Sequence, residues 1–258
     1  MGEITDLIDK IKRYYGFSPS EIRGLLVTIF VIAFIISFKE WGNGDEVDIG
    51  SGIFNLIVAI LITAISLFIH ESAHRVSSLY VGLRAEYKPW TFGLIVGLII
   101  AFLSNGRIWV LLPGGIIVHH LSGHRIGWWR YDIAYVTLGM LALWGTLATL
   151  LFALLLKVLN NLVSSYIIEK ALLFNIALAL YTMIPLPPMN GSKLFYGSRM
   201  IYVFSTIFIV VTSALLIIDI NPWLSVFSAF IVSIIGWVLY YSYIERNIWQ
   251  GPFGGMKG

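Results

Sequence analysis

The chain contains no cysteine in its 258 residues. That excludes disulfides and thiolate metal sites, so a bound transition metal would need histidine with carboxylate or amide oxygen. Charge is scarce as well: Asp, Glu, Lys and Arg make up 12% of the chain, against about a quarter in a soluble domain. Hydrophobic residues reach 58% and the mean hydropathy is +0.86, values that exclude a soluble domain and point to an integral membrane protein. The net charge of +3 is too small to point to nucleic acid. Residues 1–21 lack the apolar core and small-residue cleavage site of a removable signal. They alternate Ile and Leu with Asp, Lys and Arg before Tyr14, Tyr15 and Phe17, which predicts an amphipathic helix on the membrane surface. Ser18 and Pro19 then read as the cap and first turn of a new helix.

The apolar runs predict an all-α polytopic membrane protein with about six transmembrane helices. The spans fall near 22–38, 53–69, 133–156, 171–184, 201–218 and 223–241. Between 90 and 120 the apolar pieces are too short for two spans and are broken by Asn105-Gly106 and Pro113-Gly114-Gly115. A hairpin or re-entrant segment is expected there, tolerated where protein or water satisfies its backbone. Residues 1–21 form the N-terminal segment, 22–243 the membrane domain and 244–258 a glycine-rich C-terminal tail. Gly139, Ala142, Gly145 and Ala148 recur every three residues, a pattern open to two readings: close helix approach or ordinary span composition. Short loops with Lys157, Glu169 and Lys170 are expected between the third and fourth spans. With the amino terminus in the cytoplasm, most Lys and Arg fall inside and only Lys39, Lys157 and Lys170 outside, Arg107 being ambiguous. The expected setting is the cell membrane, both termini cytoplasmic and Asp45 outside.

The second span ends in His70-Glu71-Ser72-Ala73-His74. On a helix the two imidazoles sit one turn apart on one face, where they can ligate one zinc ion, and Glu71 can act as a base on water. Such a motif arises by accident in on the order of one percent of chains this long, and it could simply end a span. Neither account explains two His and a Glu at the lipid boundary, where ionisable groups are costly. More than a hundred residues later, Pro185-Leu186-Pro187-Pro188-Met189-Asn190-Gly191 breaks another span at the same expected depth.

Together the two stretches resemble the site-2 proteases, intramembrane zinc metalloproteases, over about residues 52–199. The later stretch resembles that family's Asn-x-x-Pro-x-x-Pro-x-Asp-Gly pattern, and Val110-Leu111-Leu112-Pro113-Gly114-Gly115 its Pro-Gly hairpin. The resemblance implies Zn2+ as cofactor, His70 and His74 as ligands, Glu71 as general base, and membrane-protein substrates in the bilayer as partners. It also implies a third ligand at Asn190 and substrate-binding roles near Thr182, Pro113 and Gly114. Asn190 stands where the family has Asp, Thr182 where it has Asn, and Leu143 where a Gly-Pro-x-x-Asn segment would carry Asn. The chain is therefore either an active variant or a catalytically silent relative that binds transmembrane helices. His119, His120 or His124 could complete the ligand set, or form an interfacial loop cluster. A transporter, the third possibility, would be expected to carry paired repeats, and none is evident.

Overall fold

The structure, a computed structural model, describes residues 2–42, 48–121, 133–218 and 220–246. The protein is a helical, polytopic membrane protein. Helix α1 (Gly2–Tyr14) is followed by α2 (Pro19–Ser37), α3 (Ile49–Tyr80), strand β1 (Leu83–Pro89), α4 (Thr91–Leu103) and strand β2 (Gly114–His120). Helices α5 (Tyr135–Leu162), α6 (Tyr166–Thr182), α7 (Asn190–Gly197), α8 (Arg199–Ile217) and α9 (Pro222–Tyr240) complete the order. Among the described residues five helices are long and apolar enough to span a membrane: those starting at Pro19, Ile49, Tyr135, Arg199 and Pro222. The expected span at 171–184 is α6, 17 residues long, with Glu169 and Lys170 in its first turns.

Local sequence accounts for several boundaries. Ser18 caps α2 as expected, and Glu21 returns the bond to the Ser18 N–H, closing a capping box with Pro19 in the first turn. The third span runs six residues past its expected end, to Leu162, and α6 starts at Tyr166. The connection is thus only residues 163–165, and Lys157 and Lys170 lie inside helices, buried. Lys170 can be buried there because its ammonium pairs with Glu40.

The 90–120 region supplies the helix and second strand of a strand–helix–strand hairpin whose first strand, at 83–89, precedes it. β1 and β2 pair antiparallel from Leu83↔His120 to Pro89↔Gly114, and the 13-residue α4 fills most of the connection. Leu83, Ala85 and Tyr87 face inward while Arg84 and Glu86 lie on the other face, the alternation of a half-buried strand. Leu83, Ala85 and Ile116 pack with Leu141 and Ala142 of α5, which fixes the sheet on the helix that lines the site. The chain forms two compact units. Met1–Gly197 contains the His-Glu-His motif and the proline break; Ser198–Gly258 contains the α8–α9 pair. The expected C-terminal tail lies almost wholly outside the described residues, as do His124 and Asp45.

Candidate metal centre

His70, Glu71 and His74 lie within the 32-residue α3, not at its end, and all three are buried. One ligand atom from each lies within 4.8 Å of the other two. The imidazole tautomers follow from their partners. The His74 Nδ1 atom is 2.8 Å from the Leu141 carbonyl; a carbonyl only accepts, so Nδ1 carries the proton and Nε2 the lone pair. The His70 Nδ1 atom is 2.8 Å from the Thr149 hydroxyl, which donates its own proton to the Gly145 carbonyl. Thr149 therefore accepts from His70, whose Nε2 also carries a lone pair. The two Nε2 atoms face each other at 3.2 Å. Outer partners of this kind fix the orientation of metal-binding histidines.

Asn190, the first residue of α7, closes the cluster. Its Nδ2 lies 3.1 Å from each Nε2 atom, while Oδ1 is buried and has no hydrogen-bond partner among the described residues. The three positions make a triangle with sides of 3.1, 3.1 and 3.2 Å. Tetrahedral zinc with ligands at about 2.0–2.1 Å has ligand–ligand edges of about 3.3–3.4 Å. A half-turn of the amide exchanges Nδ2 for Oδ1, giving the orphaned oxygen a place on that triangle. The residues present therefore fit a zinc ion, with two imidazoles and one amide oxygen as its protein ligands.

Close approach by glycine makes this packing possible. A Cβ on Gly145 would sit 2.2 Å from His74 Nε2, and one on Gly139 would sit 2.9 Å from the Leu194 Cα of α7. Two members of the every-third-residue stripe are thus points where α5 meets the site. A Cβ on Gly191 would lie 2.1 Å from the Met183 carbonyl, so the turn carrying Asn190 folds directly onto the end of α6.

Lys193, one turn further along α7, donates to the Pro188 carbonyl at 2.8 Å. Burial lowers its ammonium to about 8, and the Glu71 carboxylate pulls the other way. A Cβ on Gly115 would meet both the Pro188 carbonyl and Lys193 Nζ, so the start of β2 abuts the proline turn. Pro113 and Gly114 stand at that start. The Pro113 carbonyl accepts from the Trp90 N–H at 3.1 Å and from the Tyr87 hydroxyl at 2.6 Å. Thr182 is fully buried, bonded across α5–α6 to Thr146 at 3.2 Å. His119 and His120 lie at the other end of β2 and are exposed; His119 is 3.8 Å from Glu86.

A second buried network had no counterpart in the sequence reading. Arg75 pairs with Glu21, both about 3% exposed, and its guanidinium stacks 3.8 Å over Phe17. Arg75 also donates to the Tyr15 and Gly16 carbonyls at 3.3 Å. Ser72, within the His-Glu-His motif, is 2.6 Å from the Tyr15 hydroxyl. Glu21 further accepts from the Tyr87 N–H at 2.8 Å. This network ties the α1–α2 connection and β1 to the face of α3 behind the histidines. A charged residue directly after an apolar span, matched by a lone acid at a helix start, is the signal that could have found it.

No protein-family model matches the chain, and no solved structure matches it. A protein of Methanocaldococcus jannaschii, provisionally named a zinc metalloprotease, is 24% identical over 181 residues. The alignment covers 69% of this chain and 85% of that protein. The similarity ties this chain to a metalloprotease at the level of relationship.

Proposed function

We propose that this chain is a membrane-embedded zinc metalloprotease of the site-2 protease type, cutting peptide bonds in or beside transmembrane segments of membrane proteins. The observation that carries the reading is the triangle of His70 Nε2, His74 Nε2 and the Asn190 amide, beside the buried Glu71. The apolar helices and the Methanocaldococcus relative support the same reading. A zinc ion held there would supply Lewis-acid polarisation of the scissile carbonyl and a more acidic water. Glu71 takes a proton from the attacking water as its oxygen bonds to the carbonyl carbon. It returns that proton to the departing nitrogen as the C–N bond breaks. His70 and His74 keep their Nε2 lone pairs directed inward through Thr149 and Leu141.

Substrate must arrive unwound, because a helical peptide bond is shielded. The two-stranded sheet supplies a means of holding it: among the described residues β2 pairs with β1 alone, and its other edge can accept an extended segment. Pro113 and Gly114 lead into that strand, and Gly115 abuts the proline turn at the Pro188 carbonyl. Thr182 acts from behind, holding the end of α6 on α5. The Lys and Arg asymmetry of the sequence supports a cell-membrane setting with cytoplasmic termini.

A second reading, a helix-binding relative that does not cut, draws on Asn190 in place of Asp and on Thr182, whose hydroxyl donates to the Ala179 carbonyl and accepts from Thr146. Cleavage of single-span substrates in detergent with zinc added separates the two. Glu71→Gln should keep its zinc and lose at least about a hundredfold in rate, the contribution of a positioned base. Full turnover by Glu71→Gln would overturn the mechanism, and zinc uptake without cleavage by the wild type would favour the second reading.

A further inference from the structure

The neutral amide at position 190 gives this site a property that a carboxylate could not. Both Nε2 atoms present lone pairs at 3.2 Å, fixed by acceptors on the far side of each ring. Buried at 3% and 0% exposure, these acceptors need a donor or a cation. An Asn side chain carries two N–H donors on one atom, and Nδ2 lies 3.1 Å from both. An ionised Asp in the same place would put a third acceptor against two others, stable only around a cation or a captured proton.

We propose that Asn190 is a reversible closure of the metal site. Its N–H groups bridge the two imidazoles in the metal-free protein, and rotation of the same amide presents Oδ1 to an incoming ion. The proposal rests on the metal-site reading above and concerns how the ion is loaded and released. In the bridged arrangement Oδ1 is left buried without a partner among the described residues. That cost is removed when the amide turns toward an ion, so the closed site remains receptive. With three neutral ligands the site also holds a divalent ion less tightly than two imidazoles and a carboxylate would. The protein therefore folds without metal and exchanges it, whereas an Asp ligand would make folding and loading interdependent.

Full-length wild type, Asn190→Asp and Asn190→Leu, purified in detergent, test this by thermal unfolding with and without zinc, zinc titration, and zinc release to a chelator. Chelator-stripped wild type should unfold within a few degrees of its zinc-loaded form. Stripped Asn190→Asp should unfold at lower temperature than stripped wild type, and bind zinc about tenfold or more tightly with correspondingly slower release. Asn190→Leu, similar in size but without donor or acceptor, should lose stability when stripped and also bind zinc more weakly. If stripped Asn190→Asp or Asn190→Leu matches stripped wild type while the wild type binds zinc, the closure is overturned and the metal site stands. If none of the three chains binds zinc, the metal-site reading falls, and the closure with it.

Discussion

His70 and His74 come from the interior of a 32-residue helix, Asn190 from the first residue of an eight-residue one. On the α3 side, helical spacing sets the two imidazoles, and fixed groups of α5 orient each ring from behind. On the α7 side, position depends on backbone packed against backbone, Gly191 on the Met183 carbonyl, with the Ser192 hydroxyl donating to the Met189 carbonyl at 2.7 Å. One side is secured by periodicity and side-chain hydrogen bonds, the other by a turn that fits only one way. The α3 side should therefore govern whether zinc binds, and the α7 side how tightly.

Three substitutions bear on that division. Gly145→Ala should have the largest effect. Its methyl group would claim the space of His74 Nε2, the far end of a side chain, so the ring moves while the helices stay. We expect zinc affinity to fall by about a hundredfold or more with helical content unchanged by circular dichroism, on the scale of losing a ligand's support. Thr149→Val keeps the shape and removes the His70 partner; zinc affinity should drop about 10- to 100-fold, and Thr149→Ser should restore it. Gly191→Ala should be the mildest for the metal, about tenfold by zinc titration, because both histidines remain. It should cost more in thermal stability, since its clash is with backbone. A larger zinc loss for Gly191→Ala than for Gly145→Ala would invert the comparison.

The same contrast explains what was legible in the sequence. A four-residue spacing of histidines on an apolar run determines a face, so the His-Glu-His group could be read directly, as could the Ser18 cap and the helix break at Pro185. The hairpin was legible as a region too short for two spans, but its first strand was not, although Leu83, Ala85 and Tyr87 alternate with Arg84, Glu86 and Lys88. Lys157 and Lys170 were expected in loops because charge ordinarily marks them; burial of Lys170 depends on Glu40, 130 residues away. Thr149 and Leu141 escaped notice because a threonine in a span and a main-chain carbonyl carry no signature. Their roles exist only once α5 lies against α3.

The Arg75–Glu21 pair bears on how the protein is made. Removing one member of a buried pair costs about 3–5 kcal/mol, and Arg75 lies in the last two turns of α3, a long apolar helix that must enter the bilayer. Glu21 precedes it by 54 residues, so during synthesis the acid leaves the ribosome before the arginine does. Chain order thus supplies the counter-ion first. A permuted chain starting after residue 21 would deliver Arg75 before its acid, and the helix that carries the metal ligands would have to be inserted with its charge uncompensated.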